Sequence, residues 1–430
     1  MTEILRASIF HTPANPFTDP KALKTYADGA LAIRHGTIAA CGDYADVIAS
    51  HPEAVVRDLR GGFLIPGLID THLHFPQIRI LGSLGCSLLE WLERFALPEE
   101  ARFADTKHAR CMAGEFVHAL ASHGTTTALV FGSHFAAATS ELFEAALRRG
   151  LRVFTGLVLA DRSLCPELRT TPDRAYQEST NLIRQYHGRG RVGYAVTPRF
   201  ALSASEQMLE VCQTLLHEDS TLRFTSHINE NVDEISETAR LFPWSAGYLD
   251  VYEQFNLIGR QSVLAHNVHP TDSELTRIAA HDASISHCPC SNAALGSGIF
   301  PMQRHLDRGV RFALGTDVGG GTGFGLFKEG LQAYLMQRIA PQPLALRGSH
   351  MLYLATRAGA EALMLDHETG DFEPGKAADF VYLRPREAST LASVLRGSDD
   401  PEHMLAAIFM LAESETLREV RVAGDVVFHA

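Results

Sequence analysis

The chain has 430 residues, 46% of them hydrophobic, and a formal net charge of −12. That is enough for a core larger than one small domain needs, and the lack of a strong basic block excludes nucleic acid as the expected partner. No run of about 18 apolar residues occurs, so no membrane span is expected. The opening MTEILRASIF has an early acid and no basic flank or cleavage site, which argues against a signal peptide. Seven cysteines without framework spacing then read as the reduced thiols of a cytoplasmic protein.

In chain order, residues 1–65 carry short alternating runs with turn signals, such as ALAIRHGTIAACGD. Apolar, strand-like runs follow at FLIPGLIDTHLH, TTTALVFG (125–132), LRVFTGLVLA (151–160), RVGYAVTPR (191–199), LRFTSHIN (222–229), QSVLAHNVH (261–269), ASISHCP (283–289) and GVRFALGTD (309–317). Helix-like segments separate them, among them SELFEAALRRG (140–150) and SASEQMLEVCQTLLHE (203–218). Ser203 or Ser205 can cap the second, and Gly150 and Gly309 fall where helices would end.

Strands alternating with helices imply a parallel sheet, and eight such units predict a (β/α)8 TIM barrel over 66–367. A doubly wound open sheet is the structural alternative. The last stretch is strand-like again in GDFEPGKAADFVYLRP and LREVRVAGDVVFHA. Neither end is large enough to form a stable sheet alone, so residues 1–65 and 368–430 are expected to build one small β-sandwich domain from both termini.

His72 and His74 end the first barrel run two residues apart, and i and i+2 of a strand face the same side. Alone, H-x-H occurs by chance. Other runs end alike: the fifth in His227, the sixth at His266 and the eighth in Asp317. In a barrel these ends converge on one mouth, so four His and one Asp meet there. Imidazole nitrogen and carboxylate oxygen suit zinc, with iron(II) as the other candidate, and the ion's task would be to lower the pKa of a water. Glu230, three residues after His227, reads either as a helix-start acid or as the proton shuttle such a site needs.

Other hydrolase patterns are absent. There is no H-E-x-x-H, and HPE at 51–53 is not completed by a P-C-x-x-C. HCPC, with two thiols, reads as a strand-end loop, and GGGTGFG (319–325) as a tight turn beside Asp317.

PGLIDTHLH, SHINEN, LAHNVH, SHCPCSN and LGTDVGGG, in this order, resemble the amidohydrolase superfamily over nearly the whole chain. HLHFPQIRILGSLG, LLEWLERFALPEE, TPRFALS and GYLDVYEQFNLI resemble its guanine deaminase family. The resemblance implies a mononuclear zinc site with His72, His74, His227 and Asp317 as ligands and Glu230 as proton shuttle. It implies that His266 polarises the water or substrate and that Gln77, Arg199 and Phe200 hold a purine beside His227. Without it, Arg199 reads as a surface ion-pair partner, Gln77 as a loop residue and Phe200 as core. Cys290 departs from expectation as a thiol near the pocket. The implied reaction is hydrolytic deamination of guanine to xanthine and ammonia, by a cytoplasmic homodimer acting on a small purine. The rivals are an aminohydrolase of a related ring, such as ammeline, another triazine or 8-oxoguanine, and a non-catalytic scaffold on the same fold.

Overall fold

A computed structural model describes residues 1–430. Its order of elements begins with β1 (Thr2–His11), β2 (Lys24–Arg34), β3 (Thr37–Asp43) and β4 (Val55–Pro66). The strands β5 (Leu68–His74), β6 (Thr125–Phe131), β7 (Arg152–Gly156), β8 (Val158–Leu159), β9 (Val192–Pro198), β10 (Arg223–Ile228), β11 (Ser262–His266), β12 (Ser284–His287) and β13 (Arg311–Leu314) follow, most of them separated by helices. The chain ends with β14 (Phe380–Leu383), β15 (Leu417–Val422) and β16 (Asp425–His429). No helix is long and apolar enough to cross a membrane.

All eight expected barrel strands are present and pair in parallel, in the order β13-β12-β11-β10-β9-β7-β6-β5, with β8 appended to β9. Each of β5, β6 and β9 to β12 is buried along its whole length. That is the burial expected of strands covered by crossover helices outside and packed side chains inside. The remaining strands form one sheet, β16-β15-β14-β4-β1-β2-β3, built from both termini. Its hairpin turns are short: His35-Gly36 and Ala423-Gly424 both have positive φ, as a two-residue turn matched to strand twist requires. The apolar core runs through both sheets, joining Leu73, Val130 and Val153 to Phe63, Ile65, Val381 and Leu383.

Local chemistry explains several boundaries. The run FLIPGLIDTHLH is two strands rather than one, because the chain leaves the terminal sheet at Pro66 and enters the barrel at Leu68. Gly67 makes the passage: a Cβ there would lie 2.2 Å from Thr126 Oγ1. Ser205, not Ser203, caps the Glu206–Glu218 helix by accepting from Met208 N. Gly150 ends the Ala136–Arg149 helix at φ 82°.

No ladder joins β13 to β5; the bonds that close the barrel lie just past the end of β13. Asp317 N donates to His72 O at 2.8 Å, and His74 N to Val318 O at 2.8 Å. Beneath them, buried Asp70 accepts from Thr316 Oγ1 at 2.6 Å, Thr316 N at 3.0 Å and His72 N at 3.2 Å. Burial pushes this carboxyl up to about 7 against those three donors.

Asp70 is thus a clamp on the seam, and its removal strands two backbone N–H groups and a hydroxyl. Asp70→Ala is expected to lower unfolding stability by about 2–4 kcal/mol, whereas Asp70→Asn, which keeps an acceptor there, costs less than about 1. Denaturant midpoints of the two variants check this; equal losses would show that the clamp does not act through these bonds.

Candidate active site

The C-terminal strand ends meet as the barrel geometry requires. His72 and His74 come from β5, His227 from β10, His266 from β11, and Asp317 from the loop after β13. His74 Nε2 lies 3.2 Å from His227 Nε2, and Asp317 Oδ1 lies 3.3 Å from both His72 Nε2 and His74 Nε2. Four of the strand-end residues depart from ordinary backbone: Asn229, His266, Asn267 and Asp317 have φ of 49°, 72°, 47° and 48°. Left-handed backbone at non-glycine residues costs about 1–2 kcal/mol each. At the mouth it ends β10 and β11 and turns the chain after β13.

Neighbouring groups set which way the imidazoles point. Arg199 O accepts from His227 Nδ1 at 2.5 Å, and Asn292 Oδ1 accepts from His266 Nδ1 at 2.9 Å, which leaves each Nε2 lone pair facing inward. Ser291 Oγ donates to Asp317 Oδ2 at 2.6 Å. Ser291 and Asn292 belong to HCPCSN, which forms a short helix, Pro289–Ala294, rather than a loop.

A divalent cation fits this donor set. His72 Nε2 and His266 Nε2 are buried with no hydrogen-bond partner. Burial, and then neighbouring imidazoles, hold His227 well below its ordinary pKa; burial lowers His72 to about 3 despite Asp317. Burial opposes ionisation of Asp317, but the close approach of the His72 and His74 rings holds it well below the usual range. Neutral imidazoles and an ionised carboxylate are the states a cation needs. Metal–donor bonds of about 2.0–2.2 Å set tetrahedral donor spacings of about 3.3–3.6 Å, close to those found. His72, His266 and Cys288 form a second grouping, but burial raises the Cys288 thiol well above its ordinary value, so it stays protonated.

Glu230 is not a helix-start acid. Asn231 caps the Val232–Leu241 helix with Glu234 completing the box, and Glu230 turns into the site. Its Oε1 accepts from Ser297 Oγ at 3.0 Å, and its Oε2 is 3.5 Å from His266 Nε2. Burial first and Asp317 second push Glu230 up to about 8, a value from which a carboxyl can carry protons near neutral pH.

Beside these groups lies a small cavity lined by His74, Gln77, Arg199, His227, Glu230 and Asp317 on its polar side. Leu88, Trp91, Leu92, Phe200 and Leu295 form its apolar wall. Arg199 is buried rather than on the surface. It and Gln77 are both tied to Glu100, the last residue of LLEWLERFALPEE, for which no site role was expected. Cys290 does not line the cavity; its N–H donates to Glu329.

Comparison with known proteins agrees with this architecture. The Amidohydrolase family model matches residues 63–427, and a bacterial imidazolonepropionase-like composite domain matches 29–54. A probable guanine deaminase of Deinococcus radiodurans is 58% identical over 99% of this chain and 98% of its own. The E. coli guanine deaminase structure is 35% identical with a TM-score of 0.95, covering 100% of this chain and 99% of that one. The C. acetobutylicum guanine deaminase, solved with guanine in its active site, is 26% identical with a TM-score of 0.90 and full coverage of both chains. With 58% of its residues shared end to end and its strand-end donors gathered at one mouth, the chain belongs to the amidohydrolase family and, within it, to the guanine deaminases.

Proposed function

We propose that this chain hydrolyses guanine to xanthine and ammonia. The observation that carries the reading is the juxtaposition of the His72–His74–His227–Asp317 donor cluster and Glu230 with one flat-walled cavity bearing Arg199 and Gln77. His72, His74, His227 and Asp317 would hold a divalent ion, which supplies Lewis acidity that makes a water nucleophilic at neutral pH. Zinc is the ion that these nitrogen and oxygen donors favour.

The protein's own groups do the rest. The Nε and Nη2 atoms of Arg199 have no protein partner and suit the O6/N7 acceptors of guanine; Gln77 suits a neighbouring edge with a donor and an acceptor. Phe200 offers its ring to the purine plane, and Leu88, Trp91 and Leu92 shield the cavity from bulk water. The amino-bearing carbon, C2, then faces the donor cluster. Glu230 takes a proton from the attacking water, passes it to a ring nitrogen beside C2 and assists departure of ammonia. His266 Nε2, between Glu230 at 3.5 Å and Asp317 at 3.9 Å, steadies the attacking oxygen. The reading includes a soluble, cytoplasmic homodimer of purine breakdown, as the family resemblance implied.

Purified, metal-replete enzyme is expected to release ammonia and xanthine from guanine faster than it releases ammonia from ammeline, adenine or cytosine. No ammonia from guanine overturns the reading. Glu230→Gln should retain a full complement of metal while kcat falls by about 10²–10⁴; normal turnover would remove Glu230 from its role. His72→Ala should lose both metal, read by elemental analysis, and activity. A variant that still bound a full equivalent would show that His72 is not a ligand.

A further inference from the structure

Glu100, in the short Leu97–Ala101 helix, is fully buried and makes four contacts through its carboxylate. Oε1 accepts from Gln77 Nε2 at 2.7 Å and from Arg199 Nη1 at 2.8 Å. Oε2 accepts from Arg199 Nη1 at 2.6 Å and lies 3.1 Å from His134 Nε2. Burial opposes its charge, but Arg199 and His134 outweigh burial and hold it well below the usual carboxylate range. An ionised carboxylate only accepts hydrogen bonds. The Gln77 amide must therefore turn its NH2 end toward Glu100. Its other end is fixed as well, since Gln77 Oε1 accepts from Gly319 N at 3.0 Å.

With both ends fixed, the amide presents its spare N–H and its spare lone pair to the cavity in one order only. Glu100 also engages Arg199 through Nη1 alone, which leaves the other N–H groups of the guanidinium free. We propose that Glu100 is a positioning residue that fixes both the donor–acceptor order of the Gln77 amide and the Arg199 N–H groups turned to the cavity, and with them the preference for an oxo-bearing purine edge over an amino-bearing one. A carbonyl beside a ring N–H presents the reverse pattern of an amino group beside a bare ring nitrogen. A flipped Gln77 would match the second; the buried acceptors of Glu100 and the Gly319 N–H together forbid the flip. The inference rests on reading this cavity as the purine pocket.

The test compares guanine with 2,6-diaminopurine, which keeps the 2-amino group and replaces the 6-oxo group by an amino group. Glu100→Gln removes the acceptor-only partner of Gln77 and the anion that holds Arg199, and leaves the Gly319 N–H as the one remaining restraint on the Gln77 amide. It is expected to keep metal content near that of the wild type and to melt lower, because the Arg199 guanidinium loses its buried anion, while the ratio of kcat/KM for guanine over diaminopurine falls at least about tenfold. Glu100→Asp stays acceptor-only; it should lower kcat/KM for both substrates and keep their ratio within about threefold. Glu100→Asn, which removes the same partner and the same anion, replaces Glu100→Gln if that variant does not fold. An unchanged ratio in the amide variant, including diaminopurine turnover undetectable in both proteins, or equal collapse of the ratio in Glu100→Asp, overturns the proposal. The two readings fail separately: wild type that releases no ammonia from guanine defeats the function, whereas an active wild type with an unmoved ratio defeats only the role of Glu100.

Discussion

Lone pairs that face each other across a few ångströms are the constraint on which the rest of this structure depends. His74 and His227 bring their Nε2 atoms to 3.2 Å, and the Asp317 carboxylate joins them from a third segment. Without a cation, such an arrangement is repulsive, and each buried unsatisfied polar atom costs about 1–3 kcal/mol. The four left-handed residues at the strand ends add to that cost. A protein that accepts these losses needs a large compensating term. Metal binding can supply it, at about 10–16 kcal/mol for structural zinc sites. The surrounding bonds serve that term: Arg199 O and Asn292 Oδ1 hold the rings, Ser291 holds the carboxylate, and Asp70 holds the seam from which two of the histidines project.

Much of this was legible because it is periodic. Burial on both faces makes barrel strands read as continuous apolar runs, so all eight were visible, and the two-residue repeat placed His72 and His74 on one face. The same repeat puts Asp70 on that face, so D-x-H-x-H carried a signal that could have found the clamp. Strand ends read one to three residues too long, because hydropathy does not change where the ladder stops: left-handed residues end β10 and β11, whereas β13 ends at Leu314, three residues before left-handed Asp317. The break at Gly67 was hidden for the same reason, since both sides of it are apolar and buried.

Glu100 was not legible. It sits beside Glu99 in a helix of five residues, too short for a periodic pattern. The two glutamates have opposite surroundings: Glu99 pairs with Arg102 three residues on, a local contact, whereas Glu100 pairs with Arg199, 99 residues away. Only the fold tells them apart. The apolar wall of the cavity is likewise a product of long-range packing. Leu88, Trp91 and Leu92 join Phe200, Leu202 and Leu295 in a cluster separate from the main core. The wall still touches the donor cluster at one point, since Phe200 lies 6.1 Å, ring to ring, from His227.

The cavity holds two buried glutamates to opposite ends of the titration scale, and that contrast divides the labour of the site. Against burial, a guanidinium on both of its oxygens and His134 hold Glu100 well below the usual carboxylate range. Burial first and the Asp317 anion second push Glu230 up to about 8, against a serine hydroxyl and the more distant Arg199. When environments push paired acids apart in this way, the raised one is the group that can move protons and the lowered one is fixed charge. On the proposed reading, proton movement is confined to the donor-cluster side of a bound ring, and the opposite edge meets donors and acceptors whose order does not change during turnover. Swapping the two environments would put a mobile proton next to Gln77, and the amide would lose the fixed acceptor that orients it.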